Sequence, residues 1–322
     1  MAINPTISEP TLSAIDFVKE ESREALTPGQ LVWRRFRKHR MALYGAVGIS
    51  LLILFIIVGS ILVPEARANS GDLLVRLSAP MAGHPFGTDS TGRDVFDRII
   101  YGGQISLFIG ILAVALEVSL GTVIGGVAAY FGGWVDALLM RVTEAMLAIP
   151  SLFLLIVLAK FLGRDIPTIN ILGRTFSGSV GIVILVIGLT SWMYLARIVR
   201  ANVLSLKELD YISASKALGA NSPRIFFRHL VPNTLGPIIV ASTLGLANAV
   251  LTEAYVSFLG LGVQPPTATW GNMMDQAQSF ILRGVWWMWV FPSIFIVFTI
   301  LCINLMGDGL RDAFDPRSTR HM

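Results

Sequence analysis

Long apolar runs alternate with short polar stretches along this chain, at lengths suited to a bilayer. About 20 mainly apolar residues span a hydrocarbon core, and six runs approach that length. They are Ala42–Val63, free of charge; Gln104–Tyr130, broken only by Glu117; Ala137–Leu162; Ser179–Ala196; Thr234–Phe258; and Val285–Met306. The third run is the least uniform. Arg141 and Glu144 lie near its start, its uncharged stretch is only Ala145–Ala159, and Lys160 is placed to snorkel to the interface. The pattern predicts an all-α polytopic membrane protein with about six transmembrane helices. Its membrane domain covers 41–306, between an N-terminal tail, 1–40, and a C-terminal tail, 307–322. Residues 1–30, rich in Pro, Ser, Thr and Glu, read as a loose tail.

Composition agrees with the pattern. Of 322 residues 54% are hydrophobic and 14% charged, against roughly a quarter charged in a soluble domain. The placement of charge predicts orientation, because Lys and Arg collect in short cytoplasmic loops. Arg34, Arg35, Arg37, Lys38 and Arg40 precede the first run. The loop Arg200–Pro232 adds Arg200, Lys207, Lys216, Arg224 and Arg228 against Glu208 and Asp210. The stretch Pro64–Gly103 is balanced, with Arg67, Arg76, Arg93 and Arg98 against Glu65, Asp72, Asp89, Asp94 and Asp97. Both termini and the loop 200–232 are therefore expected in the cytoplasm. Ala66–Arg67–Ala68 has the form of a signal-peptidase site, but the apolar run before it far exceeds a signal's ~7–15-residue core. The first run is read as an uncleaved span.

Cys302 is the only cysteine, so an intrachain disulfide is impossible, and within an apolar run it reads as a small buried hydrophobe. His39, His84, His229 and His321 show no paired metal-ligand spacing. No Gly-x-x-x-x-Gly-Lys-Ser/Thr phosphate loop occurs, and ATP hydrolysis by this chain is not expected.

One polar stretch has structure of its own. In Asp210–Asn233, "DYISASKALGANSPRIFFRHLVPN", Asp210 is a good N-cap for a helix starting at Tyr211, with Ser213 at its third position. Gly219 supplies the left-handed residue that commonly ends a helix. Ser222 then caps a second helix with Pro223 at its first position, ending by Val231 because Pro232 follows. The surface is mixed: Ile225, Phe226, Phe227 and Leu230 are apolar, Lys216, Arg224 and Arg228 basic. Such an elbow either rests on anionic lipid or docks into a groove on a cytoplasmic partner.

The same stretch resembles the cytoplasmic-loop signature of ABC importer permeases, Glu-Ala-Ala, three residues, Gly, nine residues, Ile, one residue, Leu-Pro. Ser213, Ala214 and Ser215 stand at Glu-Ala-Ala, Gly219 at Gly, His229 at Ile, and Val231 with Pro232 at Leu-Pro. The family's acidic residue is missing. "HPFGTDSTGRDVFDRIIYGGQISL" from His84, "YFGGWVDALLMRVTEAMLAIPSL" from Tyr130, "SFLGLGVQPPTATWGNMM" from Ser257 and "NLMGDGLRDAFDPR" from Asn304 are similar to segments of the peptide/nickel branch, specifically its second, C-type permease. The resemblance covers roughly residues 30–317. It implies a type I importer permease fold in the bacterial inner membrane, a heterodimer with a second homologous permease, two cytoplasmic ATPase subunits that hold ATP and Mg, and an extracytoplasmic substrate-binding protein. No cofactor in this chain and no nucleic-acid partner are implied. The elbow would be the ATPase-coupling site, carried by Asp210, Ser213, Ala214, Ser215, Gly219, Arg224, Arg228 and Pro232. Substrates across the branch include dipeptides, oligopeptides, nickel chelates, glutathione and oligosaccharides; peptides are the expectation.

Three acids lie in or near spans, and intramembrane acids are functional suspects by default. Arg141 and Glu144, three apart, suit a local pair. Glu117 and Glu253 have no sequence-local partner, and each either lines a hydrated path or pairs with another helix. All three are candidates for the translocation path. In "GTDSTGRDVFDR", Thr91 with Asp94 fits a capping box, and Arg93 and Arg98 offer ion pairs to Asp94 and Asp97 in preference to a metal site there. This segment is expected to form an extracytoplasmic gate or a docking surface for the binding protein. Gly121 and Gly125 have small-xxx-small spacing, a close-packing feature. A proton-driven carrier using the three acids would be expected to show inverted repeats, and none is seen. An intramembrane enzyme would need a nucleophile with a base, or a metal set, and none is evident.

Overall fold

A computed structural model of the protein describes residues 27–162, 169–171 and 174–315. Within them the chain runs α1 (Pro28–Lys38), α2 (Arg40–Leu62), α3 (Glu65–Asn69), α4 (Val95–Phe131), α5 (Gly133–Ala148), α6 (Ser151–Leu162), a hairpin of β1 (Ile169–Ile171) and β2 (Arg174–Phe176), α7 (Ser179–Lys207), α8 (Asp210–Ala217), α9 (Ser222–Ile225), a π turn (Phe226–Leu230), α10 (Val231–Phe258), α11 (Trp270–Ala277) and α12 (Trp287–Phe314). The membrane domain is helical as expected. The short hairpin, paired antiparallel from Ile169↔Phe176 to Ile171↔Arg174, interrupts it only between α6 and α7. The loose-tail reading of 1–30 falls mainly on 1–26, which lie outside the described residues, as do 316–322.

Among the described residues, five helices are long and apolar enough to cross a membrane: α2, α4, α7, the continuous Ser222–Phe258 helix, and α12. The third run differs from expectation. It is a pair of helices, α5 and α6, bent by 89° at Ile149–Pro150, and it makes a sixth crossing only if the pair counts as one span. Pro150 explains the bend. A residue before proline is pushed out of the α region, and Ile149 is extended, with φ −81° and ψ 128°. Other helices outrun their apolar cores: α4 begins at Val95, α7 continues to Lys207 and α12 to Phe314, past Met306.

Lipid is as apolar as leucine, so membrane helices associate through close packing rather than through the hydrophobic effect. Gly121 and Gly125 do this between α4 and α7. A Cβ on Gly121 would lie 2.9 Å from the Leu195 Cβ, and one on Gly125 would collide with the Ala196 carbonyl. At one end of the bundle, His39 turns the chain from α1 into α2: its Nδ1 accepts the Ala42 N–H (3.1 Å) and its Nε2 lies 3.3 Å from Asp312 of α12. Arg35 donates to the Ala313 and Asp315 carbonyls, which docks α1 on the end of α12. Buried Phe36, Ala42 and Ala313 fill the contact. The elbow lies at this same end, where Gly236 of α10 packs on Phe314.

Candidate functional site

The elbow is a rigid object with an anchored back and an exposed front. Its first helix, α8, closes in a Schellman motif: Ala220 N–H donates to the Ser215 carbonyl (3.0 Å) and Gly219 N–H to the Lys216 carbonyl (2.9 Å). The turn requires a positive φ at Gly219, +82°, as anticipated. The caps are not those expected. Leu209 is the N-cap of α8 and makes no side-chain bond, so Asp210 is the first helical residue and Ser213 the fourth. Asp210 thus acts as a negative charge beside the helix's positive end rather than as a cap. For α9 the cap is Asn221, whose side chain accepts the Arg224 N–H (3.1 Å), with Ser222 and Pro223 inside the helix.

Nor does the second helix end before Pro232. Proline has no N–H for the carbonyl four residues back, and the backbone widens just ahead of it. Val231 N–H reaches the Phe226 carbonyl across a π turn, and the helix continues into α10. Such insertions are frequent at functional sites.

Behind the elbow, Ile212, Ile225, Phe226 and Leu230 are buried against Ala129, Leu195, Val199, Val203 and Ile238, so α4, α7 and α10 all grip it. The Phe226 ring lies on bare Gly126, with no room for a Cβ there. Lys216 sits over the Tyr130 ring at 5.9 Å, and Asn233 Nδ2 donates to the His229 carbonyl at 2.6 Å. On the front, Asp210, Ser213, Ala214, Gly219, Arg224, Arg228 and Pro232 are exposed and Ser215 half-exposed, beside Leu218 (89% exposed) and Phe227 (68%). All eight sequence-predicted residues are thus at least partly open to solvent.

The three acids separate. Glu253 lies in α10, 0% exposed, and accepts from Ser106 Oγ of α4 and Ser257 Oγ, each at 2.8 Å. Ser106 also accepts the Trp270 N–H and Ser257 the Val263 N–H, while Trp270 Nε1 donates to the Ile99 carbonyl. Glu253 therefore ties α4 to α10. Glu144 is exposed and pairs with Arg141 at 3.5 Å, as the spacing implied. Glu117 is 7% exposed and borders a cavity of 480 Å³ between α4, α6, α7 and α10, where Ser151, Thr190, Ser191, Tyr194, Asn248, Thr252 and Tyr255 supply the polar groups.

The far end, around 64–101, is organised by Asp89. Its Oδ1 accepts from Thr91 N, Thr91 Oγ1 and Arg93 N, its Oδ2 from Arg93 Nε at 2.7 Å, and the buried Arg98 lies 3.8 Å away. Burial alone would raise this carboxyl, but Arg93 and Arg98 with the surrounding donors hold it below the usual carboxylate range. Two expectations are corrected here. The cap of α4 is Asp94, accepting Phe96 and Asp97 N–H, without Thr91. The arginines serve Asp89, while Asp94 pairs with His84 (2.8 Å) and Asp97 with Arg67 (2.8 Å). Thr91 turns toward Asp89 because its N–H and hydroxyl both find that one oxygen. Sequence spacing missed the Asp89 cluster, since its donors come through a tight turn at Gly92.

The family described as "Binding-protein-dependent transport system inner membrane component" matches residues 121–320. A second, "N-terminal TM domain of oligopeptide transport permease C", matches residues 27–80. The dipeptide transport system permease protein DppC of Bacillus subtilis is 39% identical over 298 residues, 92% of this chain and 88% of that protein. A putative peptide permease protein of Brucella suis is 40% identical over 285 residues, 88% of this chain and 89% of that one. The DppC protein of Alkalihalophilus pseudofirmus is 37% identical over 298 residues, 92% and 93% of the two chains.

Proposed function

The chain belongs to the family of inner membrane components of binding-protein-dependent transport systems, and from that premise we propose that it is one of two membrane subunits of an ATP-driven peptide importer. A second, homologous permease completes the path. Two cytoplasmic ATPase subunits bind ATP and Mg, and an extracytoplasmic binding protein delivers substrate to the end built around Asp89. Both termini and the elbow face the cytoplasm. This chain performs no covalent chemistry. ATP acts as a ligand whose different contacts with two conformations shift their populations. Peptide as substrate is supported by the names of the relatives.

The observation that carries the proposal is the elbow: two helices locked at Gly219, gripped from behind by three spans, with an apolar and basic front free to enter a groove. Gly219→Val tests it. A Cβ there meets nothing within 4 Å, so the cost is backbone strain alone, typically ~1–3 kcal/mol. That is too little to unfold the bundle and comparable with a coupling free energy of ~1–3 kcal/mol. The variant is expected to insert at normal abundance while its complex hydrolyses ATP without moving peptide, or binds its ATPases weakly. Wild-type uptake by Gly219→Val at equal abundance overturns the coupling role and leaves the elbow a helix resting on lipid.

A further inference from the structure

Glu117 sits midway along α4, and its carboxylate faces Gly245 of α10, where a Cβ would lie 3.2 Å from Oε2 and 3.3 Å from Oε1. Bare backbone at Gly245 makes room for the carboxylate at the cavity wall. No group among the described residues donates a hydrogen bond to it or pairs with it, and no Lys, Arg or His borders the 480 Å³ cavity. The remaining polar groups are neutral. Thr190 and Ser191 spend their hydroxyl protons on their own helix, at the Val186 and Ile187 carbonyls, and so present lone pairs. Asn248 and Thr252 follow Gly245 at i+3 and i+7, on the same face of α10. The site thus offers the lone pairs of two hydroxyls and a single acid, 7% exposed. An acid without a cation inside a membrane is costly, and such acids mark ion and substrate pathways.

We propose that this cavity is a cation-accepting subsite on the transport path, in which Glu117 receives the protonated α-amino group of a passing peptide and Asn248 meets its first peptide bond. The proposal rests on the peptide-importer reading and narrows it. Free amino termini are favoured at this point of the path, while anionic or uncharged cargo gains nothing from it. Gly245 is a positioning residue, since any side chain there would press on the carboxylate.

The complete importer in membrane vesicles, without nucleotide, is treated with dicyclohexylcarbodiimide, an apolar reagent for carboxyls in apolar surroundings, and adducts on Glu117 are read by mass spectrometry. Glu117 is expected to be modified, and L-alanyl-L-alanine is expected to protect it about tenfold better than the N-acetyl dipeptide, the difference that one charge-assisted hydrogen bond makes. Glu117→Gln is expected to lose the adduct and to take up alanyl-alanine about tenfold more slowly. An unmodified Glu117 means that a cation of the second permease already pairs with it, and overturns the subsite. Equal protection by both dipeptides, or none, overturns it as well. Uptake by the wild-type importer keeps the two claims apart: if dipeptide enters while Glu117 goes unprotected, only the subsite fails, and if no peptide enters, the importer reading fails.

Discussion

Four hydrogen bonds and a second arginine converge on the single carboxylate of Asp89. Because its folded pKa is depressed below the ordinary 3.8, the stability it contributes is fully present above that value and is lost as pH falls through the folded value. At neutral pH the turn from Leu77 to Arg93 should therefore be held, loosening only below about pH 4. Asp89→Asn removes the charge at any pH and leaves Arg98, 1% exposed, without its anion. Breaking a buried pair in this way costs on the order of 3 kcal/mol. Maleimide labelling of Ser90→Cys, in a Cys302→Ala background, should run several-fold faster in Asp89→Asn at pH 7 than with Asp89 intact. An unchanged rate would mean that Asp89 is not what orders the turn. At this scale legibility was uneven. The left-handed glycine at 219 was readable because its neighbours form a helix stop. Asn221 and Ser222 are both competent caps, and only the extended backbone at Asn221, ψ 158°, distinguishes them. Nothing near Glu253 in sequence announces Ser106, 147 residues away.

Among elements, the α5–α7 contact carries the clearest electrostatic tie. Arg200 grips Asp136 with two parallel bonds, both 2.6 Å, from Nε and Nη2 to Oδ1 and Oδ2. Bidentate geometry makes such a pair stronger than a point contact, but Arg200 is about a third exposed, 34%, so solvent screening holds its worth to roughly 1 kcal/mol. Asp136→Arg should lower the midpoint of thermal aggregation of the detergent-solubilised complex by a few degrees, and the added Arg200→Asp should recover at least half of that loss. Failure of the double variant to recover would assign the effect to α5 alone. The same region shows where apolar periodicity stops informing. The run from Ala137 to Leu162, though the least uniform of the six, reads as one span, and the local constraint at Ile149–Pro150 turns it through 89°. Conversely Pro232 reads as a stop, yet a π turn carries the helix past it. Proline marks a disturbance; whether the chain bends or widens depends on what packs around it.

For the whole molecule, five of the six expected spans and their order were legible because bilayer thickness sets run length directly, and only the bent third run departs. The assembly of those spans was not, because it depends on glycine contacts and buried polar bonds between distant segments. Orientation rests on the basic residues gathered at the elbow end. With Cys302→Ala as background, Ser90→Cys should react with an impermeant maleimide in intact cells and Ser205→Cys only after permeabilisation. Labelling of Ser205→Cys from outside would invert the arrangement and place the elbow away from any ATPase.

The π turn changes what kind of part the elbow is. Because the backbone passes through it unbroken, Ser222 to Phe258 is one 37-residue rod, roughly 55 Å long at 1.5 Å per residue. Gly245, against Glu117, and Glu253, in its knot of serines, are stations along that rod. A tilt of about 5° imposed at the Ser222 end would move the other by about 5 Å over this length. Motion delivered at the elbow therefore reaches the cavity wall through continuous helix, past Pro237, with no loop in between.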